Sequence, residues 1–188
     1  MKQAVTFPAV LLLAVAASAA TVQIDPASTI MAGTGALNVR ITDVVDLYAW
    51  QFDLAFDPVL LAANAASEGA FLSGGGTTFF SVITLDNTTG TVTLLNTLIG
   101  PEPGVSGSGT LATIHFVALS AGTSAITLSN IVLLDSILGD IPADVRNGSV
   151  TAVPGAVIPE PNSGFLLASV SGLALVGRCC LRRSPSRG

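Results

Sequence analysis

Between Thr21 and Val153 apolar and polar residues alternate with a period of two, and turn-forming residues recur at short intervals. A period of two places successive side chains on opposite faces of a strand. The stretch Leu47 to Phe56, "LYAWQFDLAF", carries the pattern most clearly. Tyr48, Trp50, Phe52, Leu54 and Phe56 are expected to face a core, and Ala49, Gln51, Asp53 and Ala55 to face outward. Asp57-Pro58 stops the strand, because proline cannot donate to a ladder. Leu37 to Val44 is an earlier candidate strand, and Val59 to Ala66 reads as a strand or a short helix. Gly74 to Gly76 marks a loop or bulge. "FFSVITL" and "GTVTLLNTL" flank "DNTTG", Asp86 to Gly90, and predict a hairpin. "TLATIHFVAL" predicts a strand, "AITLSNIVLLDS" one or two, and "GDIPADVRNGSVTAV" a turn and a last strand. The sum is about nine strands, mostly antiparallel, with no helix of convincing length. That is an all-β sandwich, and residues 20–152 are long enough to bury a core without disulfides.

The two ends of the chain break this pattern. Lys2, the apolar run Ala4 to Ala17 and the small residues Ala17-Ser18-Ala19 have the form of a secretory signal peptide, residues 1–19, with cleavage after Ala19 or Ala20. Residues 153–162 form a Pro- and Gly-rich linker. Residues 163–177 contain 15 uncharged positions without a polar face. As helix they span about 22 Å, short of the roughly 30 Å hydrocarbon core. Cys179, Cys180 and Leu181 extend the span if Arg178 snorkels. Residues 178–188 are basic, and by the positive-inside rule they place this end in the cytoplasm.

Charge divides the chain in the same way. The body from Thr21 to Pro161 has 2 basic residues, Arg40 and Arg146, against 12 acidic ones, a net of −10, and no lysine. Binding nucleic acid by phosphate neutralisation is excluded, since it requires clustered Lys and Arg. A basic or neutral partner is favoured. The adjacent Cys179 and Cys180 offer neither a disulfide framework nor zinc spacing.

Catalytic chemistry finds little support. The sole histidine, His115, falls on the outward side of its strand with Leu111, Thr113 and Val117, while Ala112, Ile114, Phe116 and Ala118 face inward. Gly107, Gly109 and Ala112 match a dinucleotide fingerprint in spacing, but a strand follows them where the fingerprint needs a helix. Glu68 and Glu102 read as loop acids without a partner carboxylate. Asp43, Asp46, Asp86, Asp135 and Asp140 are oxygen donors in or near loops, of the kind calcium takes. Calcium needs six to eight oxygens at one point, and turn chemistry accounts for such residues without metal. No other cofactor is expected. Tyr48 and Trp50 are expected in the core, which leaves few rings for stacking on sugars. One of the adjacent Phe79 and Phe80 is expected to point outward.

Two resemblances give these features a context. Pro159-Glu160-Pro161, the apolar segment after it and the cluster Arg178, Arg182 and Arg183 resemble the PEP-CTERM sorting tail. Ile158 stands where valine is more usual, and "CCL" interrupts the basic cluster. The resemblance implies export in a Gram-negative bacterium, a membrane-held precursor, and processing by an exosortase at the Pro159–Pro161 motif on the way to the cell surface or extracellular matrix. The body, through "VDLYAWQFDLAFDPVLL", "EGAFLSGGGTTFF", "LDNTTGTVT" and "GVSGSGTLATIHFVALSAGTSAITLSNIVLLDS", resembles cohesin domains. That implies a nine-stranded jelly-roll sandwich and a non-catalytic module that binds a dockerin-like protein. A carbohydrate-binding module for exopolysaccharide is the alternative.

Overall fold

The structure is a computed structural model and describes residues 19–153. The expected signal peptide up to Ser18, the linker from Pro154, Pro159-Glu160-Pro161, the helix 163–177 and Arg178, Arg182 and Arg183 lie outside the described residues. Ala19 immediately precedes the first strand. No helix among the described residues is long and apolar enough to cross a membrane.

Eleven strands and one helical turn follow in the order β1 (Ala20–Asp25), β2 (Ser28–Ala32), β3 (Thr34–Leu47), β4 (Ala49–Ala55), β5 (Leu61–Glu68), α1 (Ala70–Ser73), β6 (Thr78–Asp86), β7 (Thr91–Leu98), β8 (Val105–Ala118), β9 (Gly122–Leu134), β10 (Ala143–Arg146) and β11 (Gly148–Val153). They form a five-stranded sheet, β10-β1-β3-β8-β5, and a six-stranded sheet, β2-β11-β9-β4-β7-β6. The core between them is built from alternate residues of both. Trp50, Phe52 and Leu54 come from β4, Leu37, Val39 and Ile41 from β3, and Ile114 and Phe116 from β8. The Trp50 and Phe52 rings stack with centroids 5.1 Å apart, and Phe56 meets Phe116 edge-on at 5.2 Å.

Two strands more than expected arise because each end of the sandwich strand system is shared between sheets. At Pro26 the chain leaves the five-stranded sheet as β1 and enters the six-stranded sheet as β2. At Asn147 it does the same from β10 to β11, and the Asn147 side chain accepts a hydrogen bond from Leu128 N at 2.9 Å. Strands that switch sheets make the corners of such sandwiches. Residues 59–66 resolve as a turn followed by β5, not a helix. Residues 125–134 belong to the single strand β9, with a break in register between Ser129 and Val132. The hairpin forms as expected, with Asp86 opposite Thr91. Its Gly90 has φ +70°, and an added Cβ would lie 2.2 Å from the Phe56 carbonyl oxygen, so glycine is required there.

Two inward-outward expectations need correction. Leu111 is buried beside Ala112, because β8 carries an extra residue opposite Val39 and Arg40. Such a bulge turns both neighbours to one side. Tyr48 is half-buried, not a core residue of β4. It lies where the chain passes from β3 to β4, and its hydroxyl donates to the Gly100 carbonyl at 2.7 Å.

Candidate interaction face

The outward residues of β4, β7, β9 and β6 make one surface. From β4 come Ala49, Gln51, Asp53 and Ala55. Register places Leu95 against Gln51 on one side and Val132 on the other. Ala49, Gln51, Leu95, Thr97, Val132 and Leu134 line a shallow hollow of about 180 Å³. Its floor is small because Ala49 has only a methyl group to fill it. Beyond the hollow the Asp53 carboxylate accepts hydrogen bonds from Thr93 Oγ1 at 2.7 Å and Asn130 Nδ2 at 2.6 Å. Asn130 sits in the β9 bulge with φ 49°, so the extra residue delivers an amide to Asp53. One carboxylate thereby ties three strands together on the outside. Phe79 of β6 projects at the edge of this surface, while Phe80 packs inward near Trp50.

The opposite face, on β1, β3, β8 and β10, differs in chemistry. Arg40 Nη1 lies 3.2 Å from Asp25 Oδ2, and Thr113 Oγ1 donates to Asn38 Oδ1 at 2.8 Å. Asp144 and Arg146 are exposed on β10. His115 is exposed on β8, as its alternation predicts. Gly107, Gly109 and Ala112 all lie on β8, so the fingerprint spacing belongs to a strand.

The five aspartates proposed as oxygen donors are only partly brought together. Asp43 and Asp46 have φ 56° and 61° and occupy breaks in the β3 ladder. Their N–H groups donate to Ser108 and Ser106 hydroxyls. The Asp46 carboxylate accepts from Ser136 Oγ at 2.7 Å and Gly104 N at 2.9 Å. The Ser136 hydroxyl, more than any other contact, holds this carboxyl below the usual carboxylate range. Asp135 accepts from Ile137 N and Gly139 N and closes the neighbouring turn. Asp140 pairs with Leu134 through a single bridge. Asp86 lies apart, in the hairpin, where Thr88 N foremost and Thr89 Oγ1 lower its pKa. Among the described residues no three His, Cys, Asp or Glu side chains converge as a metal group. Glu68 is not a loop acid: it ends β5 and accepts from Thr78 Oγ1 and Asn96 Nδ2, both at 2.8 Å.

The "Cohesin domain" family model matches residues 20–152. The chain belongs to the cohesin family. Cohesin domains are non-catalytic protein-binding modules. Solved structures show the same fold. A non-cellulosomal cohesin from Archaeoglobus fulgidus is 17% identical, with a TM-score of 0.59 over 72% of this chain and 92% of that one. The sixth scaffoldin B cohesin of Acetivibrio cellulolyticus, solved with a mutant Cel5 dockerin, is 18% identical, with a TM-score of 0.58 over 72% and 100%. A type I cohesin–dockerin complex from Clostridium thermocellum is 15% identical, with a TM-score of 0.60 over 76% and 99%. No curated protein matches the sequence.

Proposed function

We propose that this cohesin-family chain is an exported, non-catalytic binding protein that docks a dockerin-like protein on the outer face of β9-β4-β7-β6. The observation that carries this reading is the hollow around Ala49. It is rimmed by Leu95, Val132 and Leu134 and has no charged side chain in its lining. Protein interfaces deplete charge at their centre and keep polar groups at the rim. Asp53, locked by Thr93 and Asn130, supplies such a polar margin. Phe79 is the ring that stands out from this region, which is a small platform for sugar stacking.

The tail sets where binding takes place. The apolar segment 163–177 holds the precursor in the inner membrane, with Arg178, Arg182 and Arg183 on the cytoplasmic side. An exosortase-type enzyme then processes the chain at Pro159-Glu160-Pro161. The mature sandwich is left at the surface or in the extracellular matrix. The C-terminal mass of the protein recovered from its native envelope tests this step; an intact Gly188 would sink it.

The binding face is tested with the detergent-solubilised chain, challenged with a panel of dockerin modules and with exopolysaccharide. A dockerin is expected to bind. Ala49→Arg, which sets a charge in the hollow, is expected to weaken that binding at least about a hundredfold. Binding unchanged by Ala49→Arg in a variant that melts normally would overturn the assigned face. Retention of glycan and of no dockerin would replace the protein partner with exopolysaccharide.

A further inference from the structure

At Asn147 the chain passes from β10 of one sheet to β11 of the other, and the next residue is Gly148. The corner asks for both residues. Leu128 of β9 needs an acceptor for its N–H where β11 begins, and Asn147 Oδ1 supplies it at 2.9 Å. Gly148 is pressed against the other corner, between β1 and β2, where an added Cβ would lie 2.8 Å from the Ala27 carbonyl oxygen and 2.8 Å from Ile24 Cγ2. Close approach of backbone therefore holds glycine at 148. Meeting both needs at once places a side-chain amide carbon next to a peptide nitrogen that no Cβ shields.

We propose that Asn147 is a modification site, at which the chain loses ammonia by closing a succinimide with Gly148 N. The Gly148 nitrogen gives its proton to solvent and attacks Asn147 Cγ. A bond forms from that nitrogen to Cγ, the Cγ–Nδ2 bond breaks, and Nδ2 takes a proton from solvent and leaves as ammonia. Water then opens the ring at one of its two carbonyls, which leaves aspartate or isoaspartate at 147. Among the described asparagines only Asn147 precedes a glycine. Asn38, Asn87, Asn96 and Asn130 precede β-branched residues, and Asn64 precedes alanine. Asn96 is buried as well, and the Asn87 amide is engaged at both ends by the Ala63 backbone. Asn147 is exposed and lies outside the strands. The Leu128 N–H on its Oδ1 draws electron density from Cγ and favours attack there. Gly148 opposite Ile126 is the end pair of the β11–β9 ladder, and ladder ends open at the lowest cost.

The two products act differently on the fold. Aspartate keeps an oxygen for Leu128 N and leaves the main chain unchanged. Isoaspartate adds a methylene to the main chain between β10 and β11. β11 is held on both sides, by β9 and β2, whereas β10 is held on one side, by β1. β10 is therefore the strand that lets go.

The test is to age the full chain in detergent for weeks and map its peptides by mass spectrometry, separating isoaspartate from aspartate, with amide exchange in Ala143–Arg146 measured on the aged sample. Asn147 is expected to convert at least about tenfold faster than the exposed Asn64, to give both products, and to speed β10 exchange in the isoaspartate fraction only. Asn147→Asp should fold and keep β10 protected; if it does not fold, the aspartate fraction of the aged chain gives the same comparison. An Asn147 that stays intact or converts no faster than Asn64 would overturn the proposal. Aspartate formed without isoaspartate would overturn ring closure by Gly148. Equal β10 exchange in the two fractions would overturn the release of that strand.

Discussion

The two sheets of this sandwich are built on different chemistry, inside and out. The six-stranded sheet turns aromatic rings inward, with Trp50, Phe52 and Phe80 in one group. Its outer face around Ala49 is uncharged. The five-stranded sheet turns mainly aliphatic side chains inward, Leu37, Val39, Ile41 and Ile114 with the single ring of Phe116. Its outer face bears both arginines of the body, Arg40 and Arg146. Large rings hold a sheet in place with few residues. The outward positions above them are then free to be small, as Ala49 is. On the other sheet the outward positions carry polar cross-strand pairs, Arg40 with Asp25 and Thr113 with Asn38. One sheet thus turns an uncharged hollow outward around Ala49, and the other turns out paired polar side chains.

The difference should be largest in the interior. Trp50→Ala is expected to cost about 3–5 kcal/mol, as removal of a buried ring does. Its neighbour Gln51→Ala should stay within about 0.5 kcal/mol. Ile41→Val beneath the opposite sheet should cost about 0.5–1.5 kcal/mol. Trp50→Phe should cost much less than Trp50→Ala, because the indole Nε1 is buried without a hydrogen-bond partner among the described residues, and losing it relieves that penalty. Urea unfolding of the four variants measures all of these. A Trp50→Ala cost near that of Ile41→Val would mean that the rings do not anchor their sheet.

Much of this asymmetry is legible in the linear chain, and some is not. The alternation from Trp50 to Phe56 reports correctly which residues enter the core, because a period of two needs no knowledge of neighbours. His115 and the Asp86–Gly90 hairpin are legible for the same local reason. Leu111, Asn130 and Ile83 are not. Each sits at a bulge, and a bulge is defined by the count of residues on the partner strand. Glu68 was hidden because its partners, Thr78 and Asn96, come from strands 10 and 28 residues away. The candidate face was half visible. Ala49, Gln51 and Asp53 read as outward from their own strand. That Leu95 and Val132 flank them depends on strand order, which periodicity does not carry.

A second way to separate the faces uses one residue type on each. Asp53→Ala removes the acceptor shared by Thr93 and Asn130 and releases the outer bracing of β4, β7 and β9. Hydrogen bonds to a carboxylate that is partly exposed support a cost of about 1–2 kcal/mol. The cost should change little with salt, because both donors are neutral. Thermal melts at low and high ionic strength check this. A salt-sensitive loss at Asp53 would show that its field, and not its hydrogen bonds, matters on this face.

The smallest effect is expected on the other sheet. Asp25 and Arg40 form a single 3.2 Å contact with side chains 39% and 41% exposed. Exposed pairs of this kind contribute about 0–1 kcal/mol, since water screens them and two long side chains lose freedom to make them. Asp25→Asn should therefore cost less than about 0.5 kcal/mol, and that cost should shrink further in high salt. Ordered this way, Asp53 exceeds Asp25 although both are outward aspartates with a partner within reach. The distinction is between a carboxylate held by two neutral donors on adjacent strands and one meeting a single half-exposed guanidinium. If melting showed Asp25→Asn to be the costlier change, the face with the arginines would be the one that fixes its sheet, and the case for reserving the face around Ala49 for a partner would lose its physical basis.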